Sequence, residues 1–134
     1  MSRIPHALAF AAMALPASAA APPAGPDWSQ ARQIEIVLAN FEYRPKTLTL
    51  KAGEPVILTL RNRADNGHDF TARTLFRKAA VRSGDMRYIR DGSVEVPPGG
   101  HRSIGLIPAA GRYGVKCTHS FHHMLGMGGE IVVQ

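Results

Sequence analysis

The sequence contains one cysteine, Cys117, in 134 residues. No disulfide can form within the chain, and an unpaired thiol in an oxidising compartment is a liability unless it is buried or metallated. Carboxylates are scarce too: 10 Asp and Glu face 16 Lys and Arg, giving a formal charge of +6 and a pI near 10.1. Such a balance suits nucleic acid, anionic lipid or an acidic protein. Long apolar runs are also missing. The one candidate, Ala7 to Leu15, is too short for a bilayer span and is followed at once by Pro16. There is no twin arginine, no cysteine near residues 17–21, no internal repeat and no low-complexity tract beyond the N-terminus. With 45% hydrophobic and 19% charged residues, disorder is not indicated.

The N-terminus has its own pattern. Arg3 supplies a positive start, Ala7–Leu15 an apolar core and Ala17-Ser-Ala-Ala-Ala21 a small-residue cleavage region. This reads as a signal peptide over residues 1–21, implying export to the periplasm and no membrane span after cleavage. Pro22-Pro-Ala-Gly-Pro26 opens a flexible tail over 22–30, and 31–134 reads as a single domain. Export argues against nucleic acid as a partner.

Within that domain the periodicity is that of strands. Ile34, Ile36 and Leu38 alternate with other residues, as do Leu48 and Leu50. The run Val56-Ile-Leu-Thr-Leu60 is the most apolar and β-branched, which predicts a central strand. Phe41 and Tyr43 are expected to supply bulky packing. Val94 to Val96, Ile104 to Ile107, Tyr113 to Cys117 and Glu130 to Val133 give further strands separated by Pro and Gly turns. The expected fold is all-β, an antiparallel two-sheet Greek-key β-sandwich. Residues 74–84 predict a short helical insertion, capped at Thr74 and stopped at Gly84. Around it lie Arg73, Arg77, Lys78, Arg82, Arg87 and Arg90, either a solvated face or a docking patch for an acidic partner.

The densest chemistry sits near the C-terminus. Cys117 to Met127 holds the sole cysteine, three of 6 histidines and two of 5 methionines. Thiolate, imidazole and thioether are soft donors that suit copper, whereas Mg and Ca require oxygen. The spacing Cys117-x4-His122-x4-Met127 lets a loop leave one strand, fold over a point and rejoin another. A further donor must come from elsewhere, and His68, behind the turn-rich segment Asn62–Gly67, is the candidate. Two imidazoles, one thiolate and a weak methionine describe a mononuclear blue-copper centre. Met127 is preferred to Met124 because Gly126, Gly128 and Gly129 let the loop close; the spacing from the cysteine also admits His123 in place of His122. His101, following two glycines, reads as an exposed strand start.

Taken together, these stretches resemble the cupredoxin family. Phe41-Glu-Tyr-Arg-Pro45 through Gly53 is similar to the family's first half, and Asn62–Phe70 to its first histidine segment. Pro97–Gly100, Ala110–Cys117 and Gly126–Val133 are similar to its last turns and closing strand. The resemblance implies one type 1 copper per chain, held by His68, Cys117, His122 and Met127. It favours His122, since some longer cupredoxin loops have Cys-x4-His-x4-Met spacing. Asp69 stands where the family commonly has Asn, opposite Thr118. A carboxylate there accepts hydrogen bonds from Thr118 but cannot donate while ionised.

The implied function is one-electron transfer with a redox protein partner. The alternative is a Cu(I) carrier serving a copper-delivery partner, favoured by the surplus donors His119, His123 and Met124. Without a twin arginine, copper would be acquired after translocation. An enzyme is not expected: copper reductases and oxidases need further centres and longer chains, and a dinuclear purple site needs a second cysteine. Zinc could take the same donors tetrahedrally. A monomer is expected.

Overall fold

A computed structural model describes residues 15–21, 25–119 and 125–134. Its eleven strands are β1 (Arg32–Ala39), β2 (Glu42–Arg44), β3 (Thr47–Leu50), β4 (Val56–Asn62), β5 (His68–Thr71), β6 (Ala80–Val81), β7 (Ile89–Arg90), β8 (Ser93–Val96), β9 (His101–Ile107), β10 (Gly111–Lys116) and β11 (Gly128–Val133). They form two sheets, ordered β2-β1-β4-β9-β6 and β3-β11-β10-β5-β8-β7. This is the two-sheet β-sandwich that the alternation predicts. No helix among the described residues is long and apolar enough to cross a membrane.

The alternation dictates which faces meet. In β4, Val56, Leu58, Leu60 and Asn62 are buried while the residues between them are partly exposed. The strand lies between β1 and β9, so its neighbours complete the ladder on both edges. Ile36 and Leu38 from β1, with Ile104 and Leu106 from β9, fill the same layer. Phe70, Val94, Val96, Val115 and Ile131 face them from the other sheet. Burial of this order, at about 25 cal/mol per Å² of apolar surface, is the main stabilising term for a chain without disulfides.

Three details depart from the expectation. The sheets are mixed rather than wholly antiparallel, because β1 runs parallel to β4 and β3 parallel to β11. Strand direction depends on long-range closure, which local periodicity does not encode. The helix α1 spans Arg73–Lys78, not 74–84, and Thr74 lies inside it. Ala79 turns extended because Ala80 and Val81 add to the edge of β9, and Gly84 falls within a 3-10 segment, Ser83–Tyr88. Phe41 is 40% exposed at the turn between β1 and β2, with φ of 61°, so Tyr43 alone of that pair enters the core. Upstream of β1, Trp28–Gln30 forms a 3-10 turn capped by the Asp27 side chain. The Arg82 guanidinium lies 5.7 Å from the Trp28 ring centre.

Candidate metal centre

His68 and Cys117 lie far apart in sequence and are brought together by the pairing of their strands in the second sheet. His68 opens β5, and Cys117 follows the last residue of β10. The approach to His68 is fixed by Asn62, which is buried at the end of β4. Its amide donates to the Asn66 carbonyl at 2.8 Å and to the Val96 carbonyl at 3.0 Å, and its oxygen accepts from Ala64 N at 2.9 Å. The loop from 62 to 67 is therefore tied at both ends, and His68 enters the sheet opposite Val96.

The approach to Cys117 is fixed by Tyr113, whose hydroxyl donates to the Ala109 carbonyl at 2.7 Å and braces the start of β10. The far side of the loop returns through Gly126, at φ of 88°, where left-handed backbone favours glycine. Cys117 N then donates to the Met127 carbonyl at 3.2 Å, which closes the loop at its base. Gly129, two residues beyond Met127, has no room for a side chain, since a Cβ would sit 2.5 Å from the Lys46 carbonyl.

His68 Nδ1 lies 3.9 Å from Cys117 Sγ, with both residues buried. Metal bonds of about 2.3 Å to thiolate and about 2.05 Å to imidazole, as known for zinc, separate the two donors by about 3.8 Å at a trigonal angle. The observed spacing therefore fits one first-row ion shared between them. Met127 is fully buried beside the same turn. His122 lies outside the described residues, as do its rival His123 and the rival methionine Met124.

The sulfur is in a protein environment hostile to charge. Burial pushes the Cys117 thiol up, and the Asp69 and Glu95 carboxylates push the same way, against the pull of the Asp69 and His119 amides. A coordinated metal overrides such an environment, since a coordinating thiol is deprotonated outright. Asp69 N donates to Sγ at 3.5 Å, a contact that spreads thiolate charge into the backbone.

Asp69 is the hub of the surrounding network. Its carboxylate accepts from Thr118 N at 3.0 Å to each oxygen, from Thr118 Oγ1 at 2.5 Å and from Thr71 Oγ1 at 2.8 Å. The bond from Thr118 expected of a carboxylate here is therefore present, through both amide and hydroxyl. Tyr43 donates its hydroxyl to the Asp69 carbonyl at 2.6 Å, and burial raises that phenol far above its ordinary value.

Glu95, Tyr43 and Thr71 are the members of this network that the sequence reading missed. Glu95 reads as the exposed residue of an alternating strand, and only the β5–β8 register, pairing it with Asp69, reveals its position. His119 Nε2 is 2.9 Å from the Glu95 carboxylate, and the His119 and His68 ring centres are 6.4 Å apart. Donor atoms of Asp69, Glu95 and His119 lie within 4.8 Å of one another. With three contacts from Thr118 and one from Thr71 on the Asp69 carboxylate, this cluster serves as a hydrogen-bond bridge between β5, β8 and the loop. His101 begins β9 and is exposed, as expected.

Comparison with known proteins agrees with this architecture. A family model described as a cupredoxin-like domain matches residues 6–133. No curated protein sequence matches the chain. Among solved structures, dithionite-reduced auracyanin from the photosynthetic bacterium Roseiflexus castenholzii is similar with a TM-score of 0.58 at 20% identity, covering 78% of this chain and 98% of that one. Auracyanin B is similar with a TM-score of 0.59 at 18% identity, covering 78% and 89%. The McoA multicopper oxidase of Aquifex aeolicus aligns with a TM-score of 0.62 at 16% identity over 83% of this chain but 31% of its own. At these identities the likeness is one of fold.

Proposed function

This chain belongs to the cupredoxin-like domain family, and we propose that it is an exported one-electron carrier built around a single type 1 copper. His68, Cys117 and His122 would hold the metal strongly and Met127 weakly. The observation that carries the reading is the buried pair of His68 Nδ1 and Cys117 Sγ, 3.9 Å apart and backed by the Asp69 amide. Copper would supply the one-electron couple. The chain's own residues do the rest: Asn62 orients the His68 segment, Asp69 holds Thr118 and the sulfur in register, and the Cys117–Met127 backbone bond fixes the mouth of the loop. Donors held this firmly by hydrogen bonds from Asn62, Asp69 and the loop backbone reorganise little between charge states, which favours fast electron transfer. The leader over residues 1–21 would deliver the protein to the periplasm, where a redox protein would be its partner.

The second reading is a carrier that holds Cu(I) for delivery. What favours it is His119, which stands on the same loop 6.4 Å from the His68 ring. Visible absorption and EPR of the Cu(II)-loaded protein separate the two. An intense thiolate-to-copper band, abolished by Cys117→Ser, is the expected result. A colourless protein that binds Cu(I) tightly would overturn electron transfer in favour of carriage.

A further inference from the structure

We infer that the cleft beside β7, β8 and β9 is a docking site for a carboxylate-rich face of a partner protein. The inference rests on the proposed electron carrier and names the side from which its partner approaches. The cleft encloses about 360 Å³. Buried Asp69 and the exposed Thr118 line it together with Arg87, Arg90 and Arg102.

Arg44, Arg61, Arg63, Arg82 and Arg112 each have a carboxylate within ion-pair distance. Among the described residues, no ion pair engages Arg87, Arg90 or Arg102, nor Arg32, Arg73 or Arg77. What sets the first three apart is that they share one cleft, where two of them are held on one ring: the Arg87 guanidinium is 4.8 Å and that of Arg102 5.3 Å from the Tyr88 centre. Arg87 also donates to the Tyr88 hydroxyl at 2.9 Å. Like charges gathered this way repel until an anion arrives, and planar guanidinium forks match carboxylates in geometry.

The cleft discriminates by size. The buried Asp69 carboxylate also lines it, so a compact polyanion settling against that residue would meet a negative charge, while the exposed Glu95 is engaged by His119 at 2.9 Å. Carboxylates projecting from a protein surface can engage the guanidiniums without reaching Asp69. The location has a use as well. Thr118 is one peptide from Cys117, and the Asp69 amide is hydrogen-bonded to its sulfur at 3.5 Å. A partner seated here is joined to the sulfur through a single residue.

The test uses a fluorescein-labelled hexaglutamate peptide and anisotropy at low salt, with the full chain. The wild-type protein should bind the peptide, and added salt should release it. Arg87→Glu, Arg90→Glu and Arg102→Glu combined should weaken binding at least tenfold. Arg32→Glu, Lys46→Glu and Lys51→Glu, the same charge change on exposed sites elsewhere, should cost less than threefold. Arg90→Glu alone, which disturbs no contact to Tyr88, should weaken binding at least threefold and so guards against misfolding of the triple variant. Equal losses in both triple variants, or no binding by the wild type, would overturn the inference. Displacement of the peptide by inorganic phosphate where chloride at equal ionic strength does nothing would make the cleft a small-anion site and overturn it too. Peptide binding requires no metal, so failure here leaves the electron carrier standing, and a colourless Cu(II) protein leaves the cleft standing.

Discussion

Replacing Asp69 by asparagine should raise the midpoint potential of the copper-loaded protein while leaving the fold almost untouched. The carboxylate is buried and receives four contacts from Thr118 and Thr71. An asparagine can keep the geometry, with its oxygen accepting from Thr118 N and Thr71 Oγ1 and its NH₂ donating to Thr118 Oγ1, which as a hydroxyl serves either role. What disappears is one negative charge. At about 6 Å and an effective dielectric of about 20, a unit charge is worth about 3 kcal/mol. A tenfold change in equilibrium is about 1.4 kcal/mol, or about 59 mV for one electron, so the ceiling is roughly 120 mV. A carboxylate favours the more positive metal state, and its loss therefore moves the potential upward. Protein-film voltammetry at neutral pH reads the shift, and thermal melts of the metal-free variant read the fold. Asp69→Asn should melt within about 1 kcal/mol of the wild type, whereas Asp69→Ala removes the acceptor of Thr118 N and Oγ1 and should cost about 1–3 kcal/mol more, with the Thr71 hydroxyl keeping Ser93 Oγ at 2.6 Å. A potential that is unchanged or lower in a variant with a normal melt would refute this electrostatic reasoning.

Other changes probe how the site is positioned. Gly129→Ala drives a Cβ to 2.5 Å from the Lys46 carbonyl and should destabilise the chain by about 1–3 kcal/mol; a melting temperature equal to the wild type's would show that β3 and β11 separate freely. Asn62→Ala removes bonds to Asn66, Val96 and Ala64, and should cost about 2–4 kcal/mol while weakening metal affinity through His68; denaturant melts and a Cu(II) titration check both arms. Tyr113→Phe loses the 2.7 Å bond to Ala109 and should cost about 0.5–1.5 kcal/mol without shifting the visible band. A displaced band would mean that the hydroxyl braces the cysteine as well as the strand.

Much of this arrangement was legible in the sequence. Alternation named the buried faces of β1, β4 and β9, because a period of two is all that one core face requires. The donor chemistry of Cys117 and Met127 was equally plain. His68 rested on its place behind a turn-rich loop, between a strong strand and the donor-rich segment, together with the resemblance, since an isolated histidine carries little signal of its own. Register was the hidden quantity. Nothing local in Val94-Glu95-Val96 shows that Glu95 lies opposite Asp69, or that His119 reaches it from the loop. Arg102 was missed as a member of the basic cleft for the same reason: it belongs to β9 and meets Arg87 only through the Tyr88 ring. The helix was overextended because a two-residue edge strand, β6, competes for Ala80 and Val81.

The second sheet has a seam. Between β5 and β10 the backbone ladder is a single registered pair, Thr71 with Lys116. Past that pair the two halves are welded by side chains: the Asp69 carboxylate grips Thr118, and the Cys117 sulfur takes the Asp69 amide. The groups that would tune a metal are thus also the rivets of the sheet. A lesion at residue 69 or 117 opens the sandwich along this line, and amide exchange should quicken first at Thr71 and Lys116.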